Sequence, residues 1–182
     1  MSTDYLFSET FPALPQGLIA GVDSGLNGAF VFLSEIDQVL IKVMMPTIKA
    51  KTEKGRKLIY DEVGIRDLLI KYRPFHVFVE TPQVLPGASR GLISMGVGHG
   101  FIRGVCCTLN ISYTPIHPRT WQSSMLIGLP KDINTKDKAF IICQRLWPNG
   151  GSWYVGQQRN PYSGYCDAAL IAEYGKRKLI GK

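Results

Sequence analysis

Three carboxylates stand where apolar runs end or begin: Asp23 closes Leu-Ile-Ala-Gly-Val-Asp-Ser-Gly, Glu80 closes His-Val-Phe-Val-Glu, and Asp167 opens Asp-Ala-Ala-Leu-Ile-Ala. Ionised carboxylates gathered in a poorly solvated place repel one another and need a cation, and hard oxygen donors select Mg²⁺ or Mn²⁺. Converging on one point, three such acids could hold two cations about 4 Å apart, an arrangement that activates water and stabilises a leaving oxygen in phosphodiester cleavage. Each acid also has a plainer reading. Asp23 before Ser-Gly suits a hairpin turn, Glu80 could form a buried ion pair with a lysine or arginine, and Asp167 could cap a helix or sit in its first turn.

The elements that would position them follow from patterning. Gly17 to Leu33 reads as a β-hairpin around Ser24-Gly25-Leu26-Asn27-Gly28, with Gly25 and Gly28 letting a large substrate approach the backbone. Gln38 to Met45 supplies a third strand. From Lys49 to Lys57 five of nine positions are basic without an apolar period, which reads as a loop. Tyr60 to Tyr72 has helical spacing and ends before Pro74, and Phe75 to Glu80 is a buried strand, so a parallel crossover is expected. Ala88 to Leu109 is a helix with Gly96, Gly100 and Gly104 along one face, a pattern suited to close approach of another backbone within the fold or across a dimer. A strand at Ile111 to Ile116, helices at Arg119 to Leu126 and Thr135 to Trp147, a polar and aromatic loop to Gly164, and a helix from Asp167 to Lys178 complete the series. The fold class is α/β: a mixed sheet of three antiparallel strands and then parallel strands, flanked by helices.

The 182 residues suit one globular domain, taken as 17–182 behind an N-terminal tail of 1–16. Lysine and arginine total 21 against 14 acidic residues, a net charge of +7 that suits a polyanionic partner. Cys106, Cys107, Cys143 and Cys166 lack zinc-ligand spacing and read as buried thiols of a reducing compartment. The first 16 residues hold Asp4 and Glu9 and no lysine or arginine, unlike a secretory signal, and no apolar run approaches the ~20 residues of a membrane span. An intracellular location, cytoplasmic or organellar, is the expectation, with no membrane partner.

Val22-Asp23-Ser24-Gly25, Val79-Glu80 and Asp167-Ala168-Ala169-Leu170-Ile171-Ala172 resemble the signature blocks of RuvC-type Holliday junction resolvases, within the RNase H-like superfamily. The resemblance runs from about Gly17 to Lys178, and the blocks around Arg119-Thr120-Trp121-Gln122, Thr135-Lys136-Asp137-Lys138 and Arg145-Leu146-Trp147-Pro148 look closer to the phage and organellar members. It implies a homodimeric endodeoxyribonuclease that resolves a four-way DNA junction by paired symmetric nicks. The implied cofactor is Mg²⁺, with Mn²⁺ as a substitute and two ions per active site.

Carried over residue by residue, Asp23, Glu80 and Asp167 match the metal ligands. The bacterial members have a further acid where this chain has Gly164, and Ser163, Tyr162 or water would complete the shell. Lys136 or Lys138 matches a functional lysine, Lys136 in the first helical turn behind a Thr135 cap, and Arg119 matches a phosphate-holding position. Gln83 and Arg90 follow Glu80 toward the branch point, and Lys51, Lys54 and Arg56 could reach a junction arm. His99 and His117 read as structural or modestly polar. Two other readings stay open: a non-catalytic junction-binding protein of the same fold, to which Gly164 lends support, and a phosphotransferase of the actin and sugar-kinase group. The latter normally needs two related domains, and only 15 residues follow Asp167.

Overall fold

The computed structural model of the chain describes residues 17–34, 40–53, 55–83 and 89–181. The expected N-terminal tail, Lys54 and the side chain of Arg90 lie outside the described residues. Strands β1 (Leu18–Asp23), β2 (Ala29–Ser34) and β3 (Leu40–Met44) form the antiparallel opening, followed by β4 (Thr47–Thr52) and β5 (Gly55–Tyr60). Helix α1 (Glu62–Tyr72), strand β6 (His76–Glu80), helix α2 (Ser89–Thr108) and strand β7 (Ser112–Ile116) come next. Helices α3 (Pro118–Met125), α4 (Thr135–Leu146) and α5 (Ser163–Leu179) close the chain. The main sheet has the order β3-β2-β1-β6-β7, antiparallel across β3, β2 and β1 and parallel across β1, β6 and β7. The expected α/β mixed sheet is therefore present, as is its right order of antiparallel and parallel strands.

Period-two alternation gives the sheet two apolar faces. Ile19, Val31, Leu33 and Phe78 pack against α3, α4 and α5, while Ala20, Val22, Phe30, Phe32, Val77 and Val79 pack against α1 and α2. Helix α1 starts at Asp61, whose carboxylate accepts from the Gly64 N–H at 2.9 Å, and stops at Arg73 in a left-handed conformation before Pro74. Tyr60, placed in that helix by its spacing, instead ends β5.

Four further expectations are corrected. The basic stretch from Lys49 to Lys57 is not a loop but most of the β4–β5 hairpin, a separate two-stranded sheet paired from Thr47↔Tyr60 to Thr52↔Gly55. Its exposed strands carry charge on both faces, so they lack the apolar alternation of a half-buried strand. Helix α4 is capped by Asn134, whose side chain accepts from the Asp137 N–H at 3.0 Å, rather than by Thr135. Helix α5 begins four residues before Asp167, which puts that acid in its second turn. Of the cysteines, Cys106, Cys143 and Cys166 are buried, but Cys107 is exposed.

Helix α5 lies directly on β1. A Cβ built on Gly21 would meet the Ala168 carbonyl oxygen at 2.1 Å and the Ala172 nitrogen at 2.3 Å, so only glycine permits this approach. At Gly175 the same helix rests on the Phe78 ring. Strand propensity favours alanine over glycine, so a loss on substitution at residue 21 would report the contact alone. Gly21→Ala should cost about 2–3 kcal/mol in guanidinium unfolding with an unchanged m-value, whereas Gly96→Ala, where nothing lies within 4 Å, should cost none. Equal stability of Gly21→Ala and wild type would contradict the close packing.

Candidate active site

The same alternation that divides the core aims the acids. Asp23 is two residues beyond Gly21, and Glu80 two beyond Phe78, so both face α5. The parallel pairing Val22↔Val79 sets their backbones side by side, about 5 Å apart, at the C-terminal edge of the sheet. Helix α5 presents Asp167 one residue before Ala168, which touches Gly21. The three carboxylates are electrostatically coupled, and Lys136 on α4 acts favourably on both Asp23 and Asp167.

Burial and mutual repulsion disfavour ionisation here. Burial, then the charges of Asp23 and Asp167, push Glu80 up to about 8. Burial, then Asp23, pushes Asp167 up to about 7 against the pull of Lys136. Asp23 is also raised by burial, and the Gly25 N–H, donating to its Oδ1 at 3.1 Å, works against the rise. That bond shows that Asp23 does support its turn as well as facing the cluster. The plainer reading of Glu80 fails: among the described residues its carboxylate has no ion pair with lysine or arginine. The plainer reading of Asp167 fails with the helix start.

Three half-buried acids held toward neutrality at one sheet edge are a donor set suited to divalent cations. Among the described residues, no three His, Cys, Asp or Glu side chains already converge tightly enough to grip one ion. A second observation supports the fit. The indole N–H of fully buried Trp121 lacks a partner of normal hydrogen-bond geometry, yet it lies toward the Glu80 carboxylate and favours its ionised form.

Gly164 explains the departure from the bacterial pattern. A Cβ there would lie 2.8 Å from the Asn27 carbonyl oxygen and 2.9 Å from the Gly28 carbonyl carbon, so the β1–β2 turn occupies the space a fourth acid would need. The Tyr162 hydroxyl donates to the Gly28 carbonyl at 3.2 Å, while Ser163 lines a 290 Å³ cavity with Lys136, Asn134 and Asn160. Gly28 itself is dictated by the turn, since its Cβ would strike the Asp23 carbonyl at 2.1 Å.

The remaining candidates are more dispersed. Arg119 is exposed in the first turn of α3, where its N–H donates to His117 Nδ1 at 3.3 Å. Lys138 is half-buried on α4, and Gln83 is half-buried three residues beyond Glu80. Lys51 and Arg56 are exposed and directly paired in the β4–β5 hairpin.

Sequence reasoning missed the supports of the cluster. Ser24 Oγ donates to the Glu80 carbonyl at 3.2 Å, and the Tyr60 hydroxyl donates to the Ser24 carbonyl at 2.8 Å. The Tyr60 ring fills the space above Gly98 on α2. His99, Tyr113 and Trp121 also belong to this shell. Ser24 and Trp121 lay in blocks singled out beforehand, Val-Asp-Ser-Gly and Arg-Thr-Trp-Gln, and those settings were the available signal.

No protein-family model matches the chain, and no curated protein sequence does. Its fold does match solved structures. Thermus thermophilus RuvC in complex with a Holliday junction substrate aligns with a TM-score of 0.56 and 12% identity, over 91% of this chain and 97% of that one. Thermus thermophilus RuvC alone gives 0.57 and 14% identity over 90% and 96%. The yeast mitochondrial Holliday junction resolvase Ydc2 gives 0.50 and 18% identity over 91% and 80%. The chain thus has the RuvC-type, RNase H-like fold over nearly its whole length.

The raised acids set a pH dependence in metal-free protein. Unfolded carboxylates titrate at about 4, whereas Glu80 and Asp167 titrate at about 8 and about 7 in the folded chain. The folded state therefore binds more protons between these values, and stability present at low pH is lost as pH rises through 7 to 8. In chelator, Tm should fall by several degrees from about pH 5.5 to about pH 8.5, and millimolar Mg²⁺ should restore it mainly at the higher value. Glu80→Gln should flatten that fall; an unchanged slope would show that the cluster does not carry it.

Proposed function

We propose that the chain is a divalent-cation-dependent endodeoxyribonuclease that resolves four-way DNA junctions by paired symmetric nicks, a crossover junction endodeoxyribonuclease. The observation that supports this reading is the electrostatic coupling of Asp23, Glu80 and Asp167 to one another and to Lys136 at one edge of the sheet, in a fold shared with two Holliday junction resolvases. Asp23, Glu80 and Asp167 would hold two Mg²⁺ or Mn²⁺ ions, with the Ser163 hydroxyl or water completing the shell. Bound there, the ions supply Lewis-acid polarisation of the scissile phosphate and a nucleophile at neutral pH.

The chain's own residues do the rest. The β1 and β6 strand ends hold two carboxylates on a rigid sheet, and α5 sets the third against them. Lys136, near both Asp23 and Asp167, neutralises charge on the phosphate as it develops. Its place in the first turn of α4 is electrostatically unfavourable for a cation, and a bound phosphate reverses that cost. Arg119 and Lys138 hold backbone phosphates, and Gln83 and Arg90, which follow Glu80 in the chain, are assigned to the branch point. The hairpin bearing Lys51, Lys54 and Arg56 reaches along one duplex arm. A net charge of +7 supports this polyanionic partner.

Two equivalent cuts call for two equivalent sites, which an isologous homodimer supplies. Gly96, Gly100 and Gly104 meet nothing within 4 Å in the protomer, and Ile93 and Val97 beside them are 71% and 54% exposed. This face of α2 is the surface for a second copy. Gly100→Leu should shift the sedimenting species from dimer to monomer at micromolar concentration, and an unchanged dimer would remove α2 from the interface.

Cleavage is tested with an end-labelled four-way junction and a linear duplex of the same sequence. Wild type should nick opposing strands of the junction only, with Mg²⁺ or Mn²⁺. Asp23→Asn should bind the junction as tightly while cutting at least about a hundredfold more slowly. Junction-specific binding without cutting in either metal would favour the non-catalytic reading, with Gly164 as its reason. Equal cutting of both substrates would keep the nuclease and withdraw the resolvase.

A further inference from the structure

We propose that His99 is a positioning residue for Glu80, acting through the Glu80 backbone carbonyl and held in the required tautomer by Tyr113. The inference rests on the reading of Glu80 as a cation ligand.

Glu80 is the last residue of β6. Its carbonyl oxygen is taken by two side chains from outside the strand: Ser24 Oγ donates at 3.2 Å, and His99 Nδ1 lies at 3.2 Å from α2. A carbonyl only accepts, so Nδ1 carries the proton. Nε2 is then the bare nitrogen, and the Tyr113 hydroxyl, 2.6 Å away on β7, donates to it. The ring of His99 also meets that of Tyr113 edge to face, with centroids 5.8 Å apart. Each link has one polarity that satisfies every partner. Both lone pairs of the Glu80 carbonyl are thereby engaged, which fixes the peptide plane after Glu80 and with it the direction of the carboxylate.

The geometry separates this role from packing. In His99→Asn the amide nitrogen falls where Nδ1 stands, so the donor to Glu80 is kept and the bond to Tyr113 is lost. His99→Leu keeps apolar bulk but removes the donor. Tyr113→Phe touches nothing at Glu80, yet it frees the imidazole to adopt the other tautomer, which turns a bare nitrogen toward the carbonyl.

The test is direct Mn²⁺ binding to the full chain, read by electron paramagnetic resonance without DNA, with circular dichroism melting as a check on folding. Outer-shell substitutions commonly weaken metal binding 10–100-fold, so His99→Leu should raise the Mn²⁺ Kd at least about tenfold. His99→Asn should stay within about threefold of wild type, and Tyr113→Phe should fall between the two. Cleavage of the junction should show a matching rise in the half-saturating Mn²⁺ concentration while junction affinity in Ca²⁺ is unchanged. Wild-type affinity in His99→Leu would overturn the proposal, as would equal weakening in His99→Leu and His99→Asn, which would make the role one of packing. Absence of Mn²⁺ binding by wild type would instead defeat the reading of Glu80 as a ligand, and the proposal with it.

Discussion

The contact on which the rest depends is backbone against backbone, where α5 lies on β1 at Gly21. Sheet and helix surfaces ordinarily keep side chains between them. Here the absent side chain of Gly21 lets the Ala168 carbonyl and Ala172 amide come to the strand itself. That proximity turns two strand-end acids and one helical acid into a cluster, because Asp167 stands one residue from the contact. Gly164 extends the contact to the β1–β2 turn and Gly175 extends it to Phe78. The helix is thereby fixed at its start, middle and later turns.

This assembly works against local stability. Carboxylates that repel and are poorly solvated resist ionisation, and each disfavours the charge of its neighbours. A structure selected for stability alone would pair them with lysine or arginine. Among the described residues, Lys136 is the one favourable charge acting on the cluster, and it does so from an exposed position. The surrounding groups instead fix direction: Gly25 at Asp23, Ser24 at the Glu80 carbonyl, and Trp121 toward the Glu80 side chain. A cation would relieve the repulsion, and acids held in place in advance suit such a ligand.

The parts of this arrangement that were legible in the sequence are those that local pattern determines. Apolar runs ending in Asp23 and Glu80 revealed two strands and their acidic ends, and Pro74 marked the end of α1. Where neighbours from elsewhere decide, pattern failed. Ser163, Gly164 and Tyr165 are poor helix formers and Tyr162 offers no side-chain cap, so the first turn of α5 read as loop and Asp167 as its start. The need for glycine at 164 comes from Asn27 and Gly28, far away in sequence. The β4–β5 hairpin is hidden by its lysines, although Gly55, with φ of 119°, stood at a tight turn. His99 meets Glu80 and Tyr113 only across three elements, a conjunction that no single segment encodes.

The central claim is that Asp23, Glu80 and Asp167 form one cation site. Anomalous diffraction from crystals grown with Mn²⁺ tests it without reference to any substrate. The account predicts anomalous density between these three carboxylates, with the oxygens at coordinating distance and a second peak about 4 Å away once a DNA phosphate is present. Ordered Mn²⁺ elsewhere with none in the cluster, or density touching only one of the three acids, would contradict it.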